Sequence, residues 1–346
     1  MGLFYLVDTW PWLGNHTGYH QLPKYVKDIN FGINVVATKF GVLQRCLGRA
    51  YSVCHGWHDR RDSVYAAAEM IFTRKIRPEG IFHVLYYDVH YRMWERWQKA
   101  PRNIIATIHH PPGRVYLPGM RENLARLSSV IVLTTRDIEL YESEIGKGRV
   151  RFIPHGVDID FFHPGQKTTD IGERRLLFTG QNGRNTRMLE RMIRKLSDKH
   201  KDLRFDLLVP CARRNVEGLK ELQGHPRVAW HANISDERLK ALYQESYLLL
   251  QPMESCAANN AIVEALACGL PVVTTDVGGV RDYGGGTIYP VVANDDDDAI
   301  IDLVDKYLAK PDWRYEIGRR GREFAERELA WPLIAEKHLQ AYKELM

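Results

Sequence analysis

Residues 250–282 read LQPMESCAANNAIVEALACGLPVVTTDVGGVRD. The apolar run Tyr247–Gln251 predicts a buried strand, and Pro252 opens a turn. A helix is expected from about Ala258 to Cys268. Gly269 supplies its C-cap, Pro271 prevents continuation, and Val272–Thr275 makes the next strand. Asn259 and Asn260 stand at the start of this helix, with Glu264 one turn after Asn260 on the same face. An open helix N-terminus attracts an anion, and a neighbouring carboxylate accepts from hydroxyls. Together they suit a nucleoside diphosphate. The plainer reading is an asparagine cap with a glutamate complementing the helix dipole. Gly278 and Gly279, following the next strand, favour the first reading, because glycine lets backbone approach a ligand.

Working outward, the chain alternates short strands and helices. In the first half strands are expected at Leu3–Val7, Asn34–Thr38, Ile81–Tyr86, Asn103–Ile108, Val130–Leu133 and Arg151–Ile153, with helices at Arg61–Arg74, Pro118–Leu127 and Asp137–Glu144. The second half gives strands at Leu176–Thr179, Arg204–Val209, Arg227–His231, Tyr247–Gln251 and Val272–Thr275. Its helices are expected at Thr186–Ser197, Val216–Leu222, Ser235–Gln244, Ala258–Cys268 and Asp297–Ala309. Such alternation predicts α/β architecture with parallel sheets, whose ligands gather at the carboxyl ends of the strands. A length of 346 residues favours two domains, and the polar stretch Pro164–Glu173 marks the boundary.

Bulk properties exclude several classes. Hydrophobic residues make up 45% and charged residues 26%, which is globular rather than disordered composition. Five scattered cysteines without a CxxC argue for reduced thiols and a cytoplasmic setting. The start MGLFYLVDTW lacks the basic flank of a signal peptide, and no apolar run is long enough to span a membrane. Neither GxGxxG nor GxxxxGK[ST] occurs, so the dinucleotide and P-loop readings fail. Residues 1–165 hold 21 Lys and Arg against 15 Asp and Glu, whereas residues 166–346 hold 27 against 28. A basic first half containing Trp10, Trp12, Trp57, Trp94 and Trp97 suits an anionic acceptor or peripheral contact with a membrane surface. The other reading is a solvated basic face over aromatic core residues. Nucleic acid is not an expected partner.

Three further segments carry chemistry. Phe178-Thr-Gly-Gln-Asn-Gly-Arg-Asn-Thr-Arg187 opens a helix with Arg184 and Arg187, cations suited to bidentate phosphate contact. Ile104-Ile-Ala-Thr-Ile-His-His-Pro-Pro112 ends a strand in His109 and His110. Gly14-Asn-His-Thr-Gly-Tyr-His20 is a glycine-containing loop after the first strand. His55, His58, His109 and His110 lack a carboxylate or cysteine at ligand spacing, so no metal site is expected. Tyr86–Tyr91 marks another strand end, and the acidic run Asp295–Asp298 complements a helix N-terminus.

The stretch Glu264-Ala-Leu-Ala-Cys-Gly-Leu-Pro-Val-Val273 resembles the donor-binding signature of retaining glycosyltransferases of the GT-B fold (glycosyltransferase family 4-like, "glycosyl transferases group 1"). Arg151-Phe-Ile-Pro-His-Gly-Val-Asp-Ile-Asp-Phe-Phe-His-Pro164 is similar to the family's interdomain segment. The helix containing Trp331 resembles its last helix. The resemblance covers about residues 80–346. It implies two Rossmann-like domains (1–165 and 166–325) facing a cleft, with 326–346 returning to the first. It also implies transfer of a sugar from a UDP- or GDP-sugar to a glycan, lipid-linked or small-molecule hydroxyl acceptor, without metal or other cofactor. His109, Arg184 and Glu254 take the catalytic positions. Gly18, Arg184, Arg187, Asn259, Asn260 and Glu264 take the substrate-binding ones. The chain departs from the family at Cys256, which stands where the first glutamate belongs, and Glu254 is the nearest replacement. A GT-B nucleotide-sugar epimerase and a non-catalytic nucleotide-sugar-binding protein are the alternatives.

Overall fold

The computed structural model describes residues 1–8, 14–28, 30–38, 41–54, 60–75, 79–90, 103–110, 123–165 and 173–346. Trp10, Trp12, Trp57, Trp94, Trp97, the pair His55 and His58, Tyr91 and most of the helix expected over 118–127 lie outside these residues. So does most of the expected linker. The chain forms two compact units. One comprises Met1–Leu13, Tyr19–Pro154 and Ile334–Met346, the other Gly14–Gly18 and His155–Leu333.

In the first unit the strands are β1 (Gly2–Val7), β2 (Gly32–Ala37), β3 (Gly80–Val84), β4 (Ile104–Ile108), β5 (Ser129–Val132) and β6 (Val150–Phe152). They pair in the order β2-β1-β3-β4-β5-β6, all parallel. Runs such as IIATI in β4 are buried throughout, as expected of strands covered on both faces. The helices are α1 (Leu22–Tyr25), α2 (Val42–Cys54), α3 (Arg60–Thr73) and α4 (Ile138–Ile145). Burial of Leu6, Ala68, Phe72, Phe82, Val84, Ala106 and Val130 makes the core. A buried polar chain ties the terminal residues to the sheet. The Tyr5 hydroxyl donates to the Tyr342 oxygen at 3.1 Å, Tyr342 Oη lies 2.7 Å from His83 Nδ1, and His83 Nε2 lies 2.8 Å from Thr107 Oγ1. Burial holds His83 well below the usual imidazole range, so it acts here as a neutral partner.

The second unit has β7 (Arg174–Thr179), β8 (Leu203–Leu208), β9 (Val228–His231), β10 (Leu248–Gln251), β11 (Val272–Thr275) and β12 (Val291–Val292). Their order is β12-β11-β10-β7-β8-β9, again all parallel. The helices are α5 (Thr186–Lys199), α6 (Asp236–Glu245), α7 (Asn260–Ala267), α8 (Asp297–Ala309) and α9 (Pro311–Phe324); α10 (Trp331–Lys343) begins in this unit. The strand order reverses between β7 and β10, so the loops after these two strands flank a topological switch point, where open α/β sheets bind ligands.

One expected helix, Val216–Leu222, is reduced to a single turn at Lys220–Leu222. Gly218 has φ +86°, and a Cβ there would stand 2.1 Å from the Thr186 carbonyl oxygen. The chain must turn at Gly218 to pass that backbone, which ends the helical register. The helices α2 and α9 were not among the expected elements, and α7 begins two residues later than expected.

The family-like stretch after Ile153 is structural in this unit. Val157 N–H donates to the Leu329 carbonyl at 2.8 Å, and Trp331 N–H donates to Val157 at 3.1 Å. Trp331 is fully buried, and a Cβ on Gly156 would lie 2.3 Å from its ring. Gly156→Ala is therefore expected to destabilise the protein by about 1–3 kcal/mol through overpacking. A thermal unfolding scan reads this as a lower Tm; an unchanged Tm would show that the ring moves aside freely.

Candidate functional site

The site is assembled from the loop after β7 and the turn after β10. Asn185 caps α5, its side chain accepting from Met188 N–H, and its own N–H donates to the Pro252 carbonyl at 3.0 Å. Glu254 N–H donates to the Gly183 carbonyl at 2.8 Å. Gly183 has φ +68°, and a Cβ there would stand 2.3 Å from the Ser255 carbonyl oxygen. The two loops are thus laced backbone to backbone at the switch point.

This lacing places Arg184. Its Nε donates to the Thr179 carbonyl at 3.1 Å, Nη1 to the Asn182 carbonyl at 2.7 Å, and Nη2 to Asn259 Oδ1 at 3.4 Å. The side chain is partly buried, and burial lowers its pKa to about 10. It remains charged at neutral pH. Among the described residues no carboxylate pairs with it. A partly buried guanidinium held only by carbonyl and amide oxygens is electrostatically incomplete, and an anion would complete it. Arg187 differs: it is exposed and paired with Glu217 at 2.6 Å.

Asn259 is the N-cap of α7, its side chain accepting from Ile262 N–H at 3.3 Å, and its Nδ2 donates to Met253 Sδ at 3.3 Å. Its side chain is committed to the protein. Asn260, half-buried, is the first helical residue. Among the described residues the N–H groups of Asn260 and Ala261 take no backbone acceptor, so they are the donors this helix end offers.

One turn on, Glu264 is buried, and Oε2 accepts from the Tyr243 hydroxyl at 2.8 Å. The Thr17 hydroxyl lies beside the carboxyl group, short of full hydrogen-bond geometry. Burial raises Glu264 to about 7. Burial also pushes Tyr243 upward, so it stays a hydroxyl donor. Gly18, next to Thr17, has φ +94°. In the same segment Asn15 N–H donates to Asp236 Oδ2 at 2.7 Å, and His16 Nδ1 lies 2.6 Å from Asp158 Oδ2. Residues 14–18 therefore belong with α6 and α7.

Cys256 is buried, and burial pushes its thiol up to about 12. The position of the family's first glutamate thus carries neither charge nor a reactive thiolate. Glu254 is exposed on the turn. The glycine pair serves protein packing: Gly279 N–H donates to the Cys256 carbonyl at 2.7 Å. A Cβ on Gly278 would stand 1.8 Å from that oxygen. Close approach of backbone to backbone, rather than to a ligand, accounts for Gly278.

His109 belongs to the first unit. Its backbone N–H donates to Asp88 Oδ2 at 2.8 Å, its Nε2 lies 2.7 Å from the Leu85 carbonyl, and its ring stacks on Tyr86 at 4.5 Å. A carbonyl partner requires a proton on Nε2, which fixes tautomer and ring plane. Tyr243 and Thr17 escaped the sequence reading: a tyrosine late in α6 and a threonine between glycine and histidine carry no motif. Among the described residues no group of three His, Cys, Asp or Glu is arranged to hold a metal, and no helix is long and apolar enough to cross a membrane.

Two all-parallel six-stranded sheets covered by helices are the arrangement of the GT-B fold. Within that class, residues 173–310 match the family model "Glycosyl transferases group 1", in agreement with the signature around Glu264. The chain is similar to the D-inositol 3-phosphate glycosyltransferase of Frankia alni, 28% identical over 263 residues, covering 68% of this chain and 63% of the relative. The chain thus matches less than two thirds of that relative's length. Its fold is shared with sucrose-phosphate synthase of Thermosynechococcus elongatus, with TM-score 0.76 and 18% identity over 99% of this chain and 98% of the other. It is also shared with an E. coli trehalose-6-phosphate structure bound with UDP-2-fluoro glucose. There the TM-score is 0.69 and the identity 14%, with both chains fully covered.

Proposed function

We propose that the chain transfers a sugar from a nucleoside-diphosphate donor to a hydroxyl acceptor with retention of anomeric configuration, UDP-sugars being favoured and GDP-sugars next. The observation that carries this reading is Arg184, a partly buried cation that pairs with no carboxylate among the described residues, beside the N–H groups of Asn260 and Ala261 at the start of α7. A diphosphate supplies the missing negative charge, and the N–H groups take its oxygens. Glu264 then accepts from the pentose hydroxyls. The similar chain from Frankia alni is named a glycosyltransferase, and the E. coli neighbour holds a UDP-sugar analogue, which supports the donor class and favours uridine.

Bond breaking leaves charge on the departing diphosphate, so catalysis rests on positioning and on stabilising that charge. Arginine and helix N–H groups provide the positive field, so no metal is required in this reading. Among the described residues no pair of carboxylates is arranged as in a glycoside hydrolase; the departing phosphate would take the acceptor's proton on the same face of the sugar. The acceptor is a hydroxyl of a glycan, a lipid-linked or a small molecule.

Uridine diphosphate at a hundredfold excess over its Kd is expected to stabilise the folded protein by about 2.7 kcal/mol, seen as a higher Tm, with guanosine diphosphate giving the smaller shift. No shift with any nucleoside diphosphate would overturn the donor site. Incubation with a UDP-sugar and an acceptor should release diphosphate and form a second sugar product; donor consumption without such a product would favour epimerisation.

A further inference from the structure

An amphipathic helix on a globular surface normally turns its apolar face inward. The helix α2 does the reverse. Val42, Leu43, Leu47 and Val53 are 79%, 72%, 40% and 74% exposed, while Gln44 and Gly48 are buried. Gln44 Nε2 donates to the carbonyl of Ala37, the last residue of β2, at 3.4 Å. The polar residue therefore faces the fold. At 100° per residue, Val42, Leu43, Cys46, Leu47, Ala50 and Val53 fall on one arc, with Arg45 and Arg49 along its border. All eight are exposed. No acidic residue occurs in α2. The strand joined to it through Gln44, β2, is an edge strand that exposes Ile33 and Val35.

We infer that α2 and the β2 edge dock on an anionic lipid surface. The aliphatic arc would enter the boundary between headgroups and acyl chains, and Arg45 and Arg49 would meet lipid phosphates. The basic excess of residues 1–165 acts in the same direction. A second copy of the chain fits less well. A two-fold contact presents the same patch from both sides, and α2 holds arginines with no acid to answer them. Nucleic acid would leave the aliphatic arc in water. This inference is independent of the sugar-transfer reading, since it involves none of the residues placed at the nucleotide.

The test is sedimentation of the full chain with vesicles of phosphatidylcholine alone and of phosphatidylcholine mixed with phosphatidylglycerol. The protein is expected to pellet with the anionic vesicles, less so as salt rises, and to stay in the supernatant with the neutral ones. Leu43→Asp with Leu47→Asp should lower anionic-vesicle partitioning by about tenfold or more, given the apolar burial removed. Arg45→Glu with Arg49→Glu should abolish the preference for anionic lipid. Both pairs are surface changes, and an unaltered Tm of the unliganded protein would report an intact fold; if one pair fails to fold, the other still decides. Absence of wild-type pelleting with anionic vesicles would overturn the inference. So would equal pelleting of a folded variant, or a solution dimer abolished by the leucine changes.

Discussion

Arg184→Ala is expected to lower turnover by about 10²–10³-fold, the range typical of removing one donor that stabilises developing negative charge. Affinity for uridine diphosphate should fall by less, because the N–H groups of Asn260 and Ala261 and the Glu264 carboxylate remain. The guanidinium is fixed by the Thr179 and Asn182 carbonyls and Asn259 Oδ1, so little reorganisation is needed as the bond to the sugar breaks. Arg184→Lys keeps a charge but cannot span those acceptors with one planar fork, and it should recover only part of the loss. Measuring kcat and nucleotide Kd separately distinguishes the roles. Full activity in a correctly folded Arg184→Ala protein would move charge stabilisation elsewhere.

Glu264 provides the second large effect. Glu264→Ala should weaken nucleotide binding by about 1–3 kcal/mol, by loss of its hydrogen bonds to the pentose hydroxyls. The acid's position at about 7 adds a sign. Burial raises the folded-state value above that of the unfolded chain, so the folded state retains its proton where the unfolded chain has lost it. The stabilisation from this group is fully present at low pH and is lost as pH rises through about 7. Nucleotide binding runs oppositely, because ionised carboxylate is the stronger acceptor for pentose hydroxyls. Affinity should rise with pH through about 7, and Glu264→Gln should flatten that profile. A profile identical in both proteins would remove Glu264 from the pentose.

Much of the second unit was legible because its strands are continuous apolar runs punctuated by Pro252, Gly269 and Pro271, and such punctuation survives any tertiary context. The helix α9 was not legible: PDWRYEIGRRGREF contains two glycines, each lowering helix propensity by about 1 kcal/mol relative to alanine. The helix α2 was obscured for another reason, since its apolar residues face outward and no neighbour in sequence declares it. At the site, Arg184, Asn260 and Glu264 could be picked out from residue type and spacing. Tyr243 could not, because its hydroxyl reaches Glu264 only once α6 packs beside α7. Gly278 suggests a ligand contact from sequence, whereas its neighbour is the Cys256 carbonyl, a contact between segments more than twenty residues apart in sequence.

The most direct test is a crystal structure of the protein with uridine diphosphate bound. The pyrophosphate should lie within hydrogen-bonding distance of the Arg184 guanidinium and the first N–H groups of α7, with the pentose hydroxyls on Glu264. Nucleotide bound elsewhere, with Arg184 and Glu264 contacting only protein, would contradict it.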